Sequence, residues 1–228
     1  MLPYWENAGA TKTFTHPVHH PWLDAVSRDA RILDYGCGYG RAMAELSDHG
    51  FTDLTGADPS IALLTRGRLA RPDFRFSLLD SPPFLPYADS SFDVVLLFAV
   101  LTCVPADKDQ QALIAELHRV LVPGGLLYVS DVLLQNDDRN RARYGAASQT
   151  PYGVFATDDG AVCRHHDLAA LRALLSSSTS HPAGAGSAES GSFEPVDERR
   201  IEVATMNGRW VSGVQLLVRR PGGGAPRP

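Results

Sequence analysis

Residues 32–41, ILDYGCGYGR, constrain this chain more than any other ten. An apolar run ends in an acid, Asp34. Glycines follow at 36, 38 and 40, and RAMAEL then opens a helical pattern. Strand, glycine turn and helix in that order build a cradle for a nucleotide-like ligand. The glycines let backbone approach the ligand closely and tolerate positive φ. The helix that follows aims its unpaired N–H groups at the same place.

The spacing narrows the ligand. A dinucleotide fingerprint reads G-x-G-x-x-G. Here it is G-x-G-x-G, and Arg41 stands where the last dinucleotide glycine would be. Asp34 lies two residues before the first glycine. A carboxylate there repels a pyrophosphate and favours an α-amino group, directly or through water. The ligand should carry an ammonium and no phosphates, a description that S-adenosylmethionine fits.

Composition bounds the partners. The 228 residues support one domain with a full core. Net charge is −5 and no basic patch stands out, which disfavours nucleic acid. The first residues, MLPYWENAGATK, lack the apolar core of a signal peptide. No apolar run approaches membrane-spanning length. Cys37, Cys103 and Cys163 are scattered, without C-x-x-C spacing, as expected of free thiols in a reducing, cytoplasmic setting.

Downstream, apolar strands alternate with helical patterns. Strands are expected at RILDY, at DLTGA closing on Asp58, at DFRFSLL ending on Asp80, at FDVVLLF and at LLYVSDVLL. Helices are expected after Gly40, after Ser60, and from Asp107 to Leu121, stopped by PGG. This pattern implies a parallel sheet covered on both faces. A short helix through WLDAVS precedes it. Residues 135–150 read as a polar surface excursion or part of a lid. YGVFAT and AVCRH read as short extended pieces, followed by a helix at DLAALRALL. RIEVATM and SGVQLLV read as closing strands joined by an NG turn. The expected organisation is an N-terminal lid or helical segment at 1–28 and a main domain at 29–220. A flexible polar insertion is expected near 176–192, and a disordered tail at 221–228.

The ordered motifs DYGCGYG, GADPS, LLDSPPFLP, SFDVVLLFAVLTCVP and LHRVLVPGGLLYVSD together resemble the class I S-adenosylmethionine-dependent methyltransferases, in particular the type 11-like domain. The resemblance runs from about Ile32 to Val218. It implies a Rossmann-like, doubly wound α/β sheet, mostly parallel with a C-terminal antiparallel strand, in the order 3-2-1-4-5-7-6. It also implies S-adenosylmethionine as cofactor and S-adenosylhomocysteine as product. Asp34, Gly36, Cys37, Gly38, Gly40 and Arg41 would then belong to the cofactor loop. Asp58 and Pro59 would face the ribose, Leu79, Asp80 and Ser81 the adenine, and Phe98 and Ala99 the methionine moiety. Spacing supports Asp58 independently, because an acid about 20 residues beyond a glycine turn reaches ribose hydroxyls.

Methyl transfer needs a base only if the acceptor must lose a proton, and histidine is the natural candidate. His16, His165 and His166 are the candidates. Trp5, Phe14, Leu101, Tyr152 and Asn207 are expected near the substrate. FAVLTC after the fourth strand is apolar, which argues for a small, fairly apolar metabolite and against adenine or amide nitrogen. A zinc site from the H-x-x-H-H run with His165, His166 and Cys163 lacks supporting spacing, and a magnesium site at Asp131 and Asn136 is unconvincing, so no metal is expected. The partner is expected to be a small molecule, without nucleic acid or membrane, and the protein a monomer or homodimer. Alternatives are a non-catalytic cofactor- or partner-binding domain, an NAD(P)-dependent oxidoreductase, and an aminopropyltransferase of the same fold.

Overall fold

The structure is a computed structural model that describes residues 2–146, 151–177 and 191–222. Most of the insertion expected at 176–192, and the tail from 223, lie outside the described residues.

Side-chain alternation in the central strands builds the core. In β1 (Arg31–Tyr35), β4 (Phe92–Phe98) and β5 (Leu121–Val132), the odd positions Leu33, Val95, Leu97, Leu127 and Val129 enter one cluster. The even positions Ile32, Val94, Leu96 and Tyr128 enter another. Successive strand residues point to opposite faces, so one strand feeds two cores. The first is covered by α4 (Asp107–Val120) and α6 (Leu168–Ser176). The second is covered by α2 (Arg41–Asp48) and α3 (Ile61–Ala70). This explains why these strands read as near-continuous apolar runs.

Adding β2 (Asp53–Asp58), β3 (Arg75–Leu78), β8 (Glu194–Ala204) and β9 (Trp210–Arg219) completes a seven-stranded sheet ordered β3-β2-β1-β4-β5-β9-β8. Only β9 runs against its neighbours. Counted within this sheet alone, the order is the expected 3-2-1-4-5-7-6. The remaining strands, β6 (Val154–Ala156) and β7 (Val162–Arg164), pair as a separate antiparallel hairpin. The chain reverses its order between β1 and β4, which opens a crevice at the carboxyl ends of those strands.

Several boundaries differ from the sequence reading for local reasons. WLDAVS yields only a single 3-10 turn, His20–Leu23. α4 ends at Val120 because Leu121 turns extended, so PGG falls inside β5 rather than at the helix end. β3 stops at Leu78, leaving Asp80 two residues into the following loop. The excursion after β5 contains a helix, α5 (Asp138–Gly145), capped by the Asp137 carboxylate accepting from the Asn140 N–H at 3.1 Å. Its sequence, DRNRARYG, buries only Asn140 and Tyr144, too little for an apolar stripe.

The N-terminal segment, opened by α1 (Leu2–Glu6), is stitched across the sheet's carboxyl edge. Ser60 Oγ donates to the Trp5 carbonyl at 3.2 Å, and Arg66 donates to the Lys12 carbonyl at 2.8 Å. The His19 N–H donates to Tyr128 Oη at 2.8 Å, and Gln215 Nε2 donates to the Pro17 carbonyl at 2.6 Å. Tyr128 is fully buried between Trp22 and Phe98. Tyr128→Phe should keep the packing yet strand the His19 N–H. Urea denaturation should show a loss of about 1–3 kcal/mol, and trypsin should cleave after Lys12 faster. An unchanged midpoint and cleavage rate would show that the bond does not hold the segment.

Candidate functional site

The glycine turn between β1 and α2 has the expected geometry. Gly36, Gly38 and Gly40 sit at φ 72°, 56° and 81°. Asp58, ending β2, holds the turn in place. Its Oδ2 accepts the Gly38 N–H at 2.9 Å, and its Oδ1 accepts the Ser60 N–H at 2.8 Å. Position 38 must be glycine for a second reason. A Cβ there would lie 2.1 Å from the ring of Phe14, which packs over the turn. Phe14 in turn stacks on Tyr39, with centroids 5.1 Å apart, and the Arg66 guanidinium covers Tyr39.

A single cavity of about 760 Å³ runs from this turn across the carboxyl edge of the sheet. Asp34, Gly36, Cys37 and Arg41 line its first part, with Asp58, Pro59, Leu79 and Asp80 beyond them. Phe98 and Ala99 follow at the end of β4. Trp5, Phe14, His16, His165 and Asn207 also line the wall. Gly38 and Gly40 shape the turn without reaching the wall, and Ser81 stands outside it.

Three residues expected near substrate or catalysis are elsewhere. Leu101 is fully buried in the core beneath the cavity. Tyr152 is exposed, packed edge-on against Tyr144. His166 lies behind the wall, with Nε2 2.8 Å from Gln110 Nε2 and Nδ1 3.6 Å from Asp131 Oδ1. The N-terminal histidines also separate. His16 Nδ1 is 2.9 Å from Ser130 Oγ, whereas His20 pairs with Glu45 at 3.1 Å. Among the described residues, no three His, Cys, Asp or Glu side chains gather as a metal site.

Burial dominates the electrostatics. Asp34 is pushed up to about 7 by desolvation, eased by the Arg41 charge and aggravated by Asp58. Asp58 is pushed up to about 6 by burial, against the pull of its two backbone N–H donors. Burial lowers His16 to about 4 and His165 to about 3, so both are neutral at physiological pH. His165 Nδ1 lies 2.6 Å from the Tyr144 hydroxyl. Burial raises the thiols of Cys37, Cys103 and Cys163, so none is a ready thiolate.

Sequence reasoning missed the far end of the cavity. Arg139, Asn140 and Arg143 reach it from α5, Phe155 from β6 and Cys163 from β7. The one available signal was Asp137 three residues before Asn140, an N-cap pattern without the apolar periodicity that usually accompanies it.

A family model described as a methyltransferase domain matches residues 33–129. The chain is 32% identical over 124 residues to a trans-aconitate 2-methyltransferase of Variovorax paradoxus, covering 54% of this chain and 46% of that protein. The chain thus spans about half the length of this curated relative. Its fold matches a S-adenosylmethionine-dependent methyltransferase structure from Methanosarcina mazei with TM-score 0.76 at 24% identity, over 90% of this chain and 99% of that one. It also matches the 1,6-didemethyltoxoflavin-N1-methyltransferase of Burkholderia thailandensis, solved with its substrate and S-adenosylhomocysteine. The TM-score there is 0.58 at 20% identity, over 89% and 74% of the two chains.

The Asp34 environment predicts a pH signature in the unliganded protein. Its raised pKa favours the protonated folded form. It therefore contributes stability that is complete below roughly pH 4, the unfolded carboxylate range, and lost as pH rises through about 7. Asp34→Asn cannot ionise and escapes that loss. The variant should be more stable than the parent, by a margin that opens above pH 4 and levels off above pH 7 at on the order of 2–4 kcal/mol. Urea denaturation at pH 5 and pH 8 checks this, and an equal margin at both would contradict it.

Proposed function

We propose that this chain is a class I S-adenosylmethionine-dependent methyltransferase, transferring a methyl group from that cofactor to a small-molecule acceptor; the methyltransferase-domain match and the shared fold support this reading. The observation that carries this reading is the continuity of the cavity. Its volume, about 760 Å³, lies in the upper range for ligand sites and accommodates a cofactor together with a small acceptor.

The residues present fit the cofactor. Asp34 is a buried acid whose ionisation is suppressed until a cation arrives, and an ammonium supplies that cation. Each Asp58 oxygen accepts one backbone N–H, and carboxylate oxygens accept two bonds each, which leaves capacity for two ribose hydroxyls. Asp80, exposed at the rim, can accept from an adenine amino group. Phe98 and Ala99 bound the methionine portion.

When bound, the cofactor supplies a methyl group on a sulfonium, a leaving group that needs no further activation. The protein's task is alignment and exclusion of water. Trp5 and Phe14 cover the cavity from the N-terminal segment, which we read as a lid over the main domain. His16 is the proposed base. In the tautomer that donates Nδ1–H to Ser130, Nε2 keeps a free lone pair. A pKa near 4 makes it a weak base, but a hydroxyl becomes strongly acidic as it gains a methyl group, so a weak base suffices. His165 is the second candidate and His166, behind the wall, the third, reaching the cavity only through its neighbours.

Calorimetric titration with S-adenosylhomocysteine should show saturable micromolar binding, and NADH should give none. Asp58→Ala should weaken that binding by roughly 1–3 kcal/mol, with the fold checked by circular dichroism. Unchanged affinity would refute the ribose assignment. His16→Ala should leave cofactor affinity nearly unaltered and lower turnover by about 10²–10⁴-fold on an acceptor that loses a proton. Full activity in that variant would remove His16 from the mechanism.

A further inference from the structure

The α5 wall of the cavity holds two buried polar atoms that have no hydrogen-bond partner among the described residues, Asn140 Oδ1 and Arg143 Nε. They are three residues apart on one helix, so they share a face. The guanidinium carbon of Arg143 lies over the Phe155 ring, 3.5 Å from its centroid. The neutral Tyr144 hydroxyl interacts with the Arg143 side chain and lies 2.6 Å from His165 Nδ1, so it supplies Arg143 no anion and leaves Nε without a partner among the described residues.

Other partly buried arginines are held by backbone carbonyls, as Arg66 is by Lys12 at 2.8 Å and Arg220 by Arg119 at 3.4 Å, or by carboxylates. Arg41 meets Glu45 at 2.8 Å, Arg119 meets Glu116 at 2.6 Å and Arg164 meets Asp107 at 2.6 Å. Arg143 has no such carboxylate among the described residues. Asp137, the acid nearest in sequence, has both oxygens occupied by Asn140, which takes one through its backbone N–H and the other through its side chain. Arg139 lines the same wall and adds positive charge. A partly buried guanidinium without an anion is an uncompensated charge, and an unpaired buried acceptor beside it compounds the cost. Both are relieved by one ligand that brings an anion to the guanidinium and an N–H or O–H to Asn140. A planar fork of N–H donors pairs best with a carboxylate. Phe155, already against the guanidinium, offers an aromatic face to the same ligand.

We propose that Arg143 and Asn140 form the acceptor subsite of this cavity, and that the methyl acceptor carries a carboxylate adjacent to a hydrogen-bond donor. The inference rests on reading the cavity as a methyl-transfer site.

The test titrates the whole 228-residue chain, preloaded with S-adenosylhomocysteine, with salicylate, anthranilate and 2-hydroxyphenylacetate. The matching amides and phenyl phosphate are run in parallel. At least one carboxylate should bind about tenfold or more tighter than its amide and tighter than phenyl phosphate. Arg143→Gln should abolish that preference, Arg143→Lys should keep part of it, and neither should change S-adenosylhomocysteine affinity. If Arg143→Gln does not fold, the carboxylate-to-amide ratio of the wild type and of Arg143→Lys still decides. Binding of S-adenosylhomocysteine without any carboxylate preference would overturn the subsite alone, as would a preference that survives in Arg143→Gln or tighter binding of phenyl phosphate. Failure of the wild type to bind S-adenosylhomocysteine would overturn the methyl-transfer reading and the subsite with it.

Discussion

The Asp58 carboxylate is the interaction on which the site's geometry depends. It ends β2, accepts from the glycine turn through Gly38 and accepts from the start of α3 through Ser60. One side chain thereby fixes the end of a strand, the turn after the neighbouring strand and the start of a helix. Ser60 extends the tie, since its hydroxyl accepts from Leu63 to cap α3 and donates to the Trp5 carbonyl. The N-terminal covering segment is thus anchored to the same point as the glycine turn.

This arrangement is unfavourable for an empty protein. Asp34 and Asp58 are buried acids on neighbouring strands, both pushed up by burial; Arg41 eases Asp34 and Asp58 aggravates it, while two backbone N–H groups ease Asp58 and Glu6 aggravates it. Preorganised sites accept such a cost because a ligand of the right charge removes it. Arg41 donates to the His16 carbonyl, which ties the proposed base to the helix that follows the glycine turn.

Much of this was legible in the sequence because it depends on short-range patterns. The strands are buried on both faces and read as apolar runs. The turn needs positive φ and reads as glycine. Asp34, Asp58 and Asp80 read as acids at the strand ends, though Asp80 stands in a loop rather than in β3. Long-range placement was not legible. His166 and His165 are neighbours in sequence, and β-strand alternation continuing past β7 sends only one of them to the cavity. Leu101 follows β4 as expected, yet the 3-10 turn at Leu101–Cys103 rotates it into the core and leaves Thr102 and Cys103 on the wall. α5 was hidden because its stability comes from a cap and two buried residues, not from an amphipathic stripe.

The charge pattern of the cavity has a consequence for how its two halves act together. Asp34 and Asp58 line the end nearest the glycine turn with Arg41, and Arg139 and Arg143 line the end formed by α5 with Asp137, although the chain as a whole carries a net charge of −5. Under the proposed acceptor subsite, a cationic cofactor would meet the buried acids beside the glycine turn and an anionic acceptor the arginines of α5, which complements the charge of each. His16 and His165 line the same cavity. His16 is raised by Asp131 and lowered by Arg41, and His165 is lowered by Arg143 and raised by Asp131, so burial leaves both uncharged. A neutral imidazole repels neither a cationic cofactor nor an anionic acceptor, so the proposed base is compatible with both ligands of the proposed reaction.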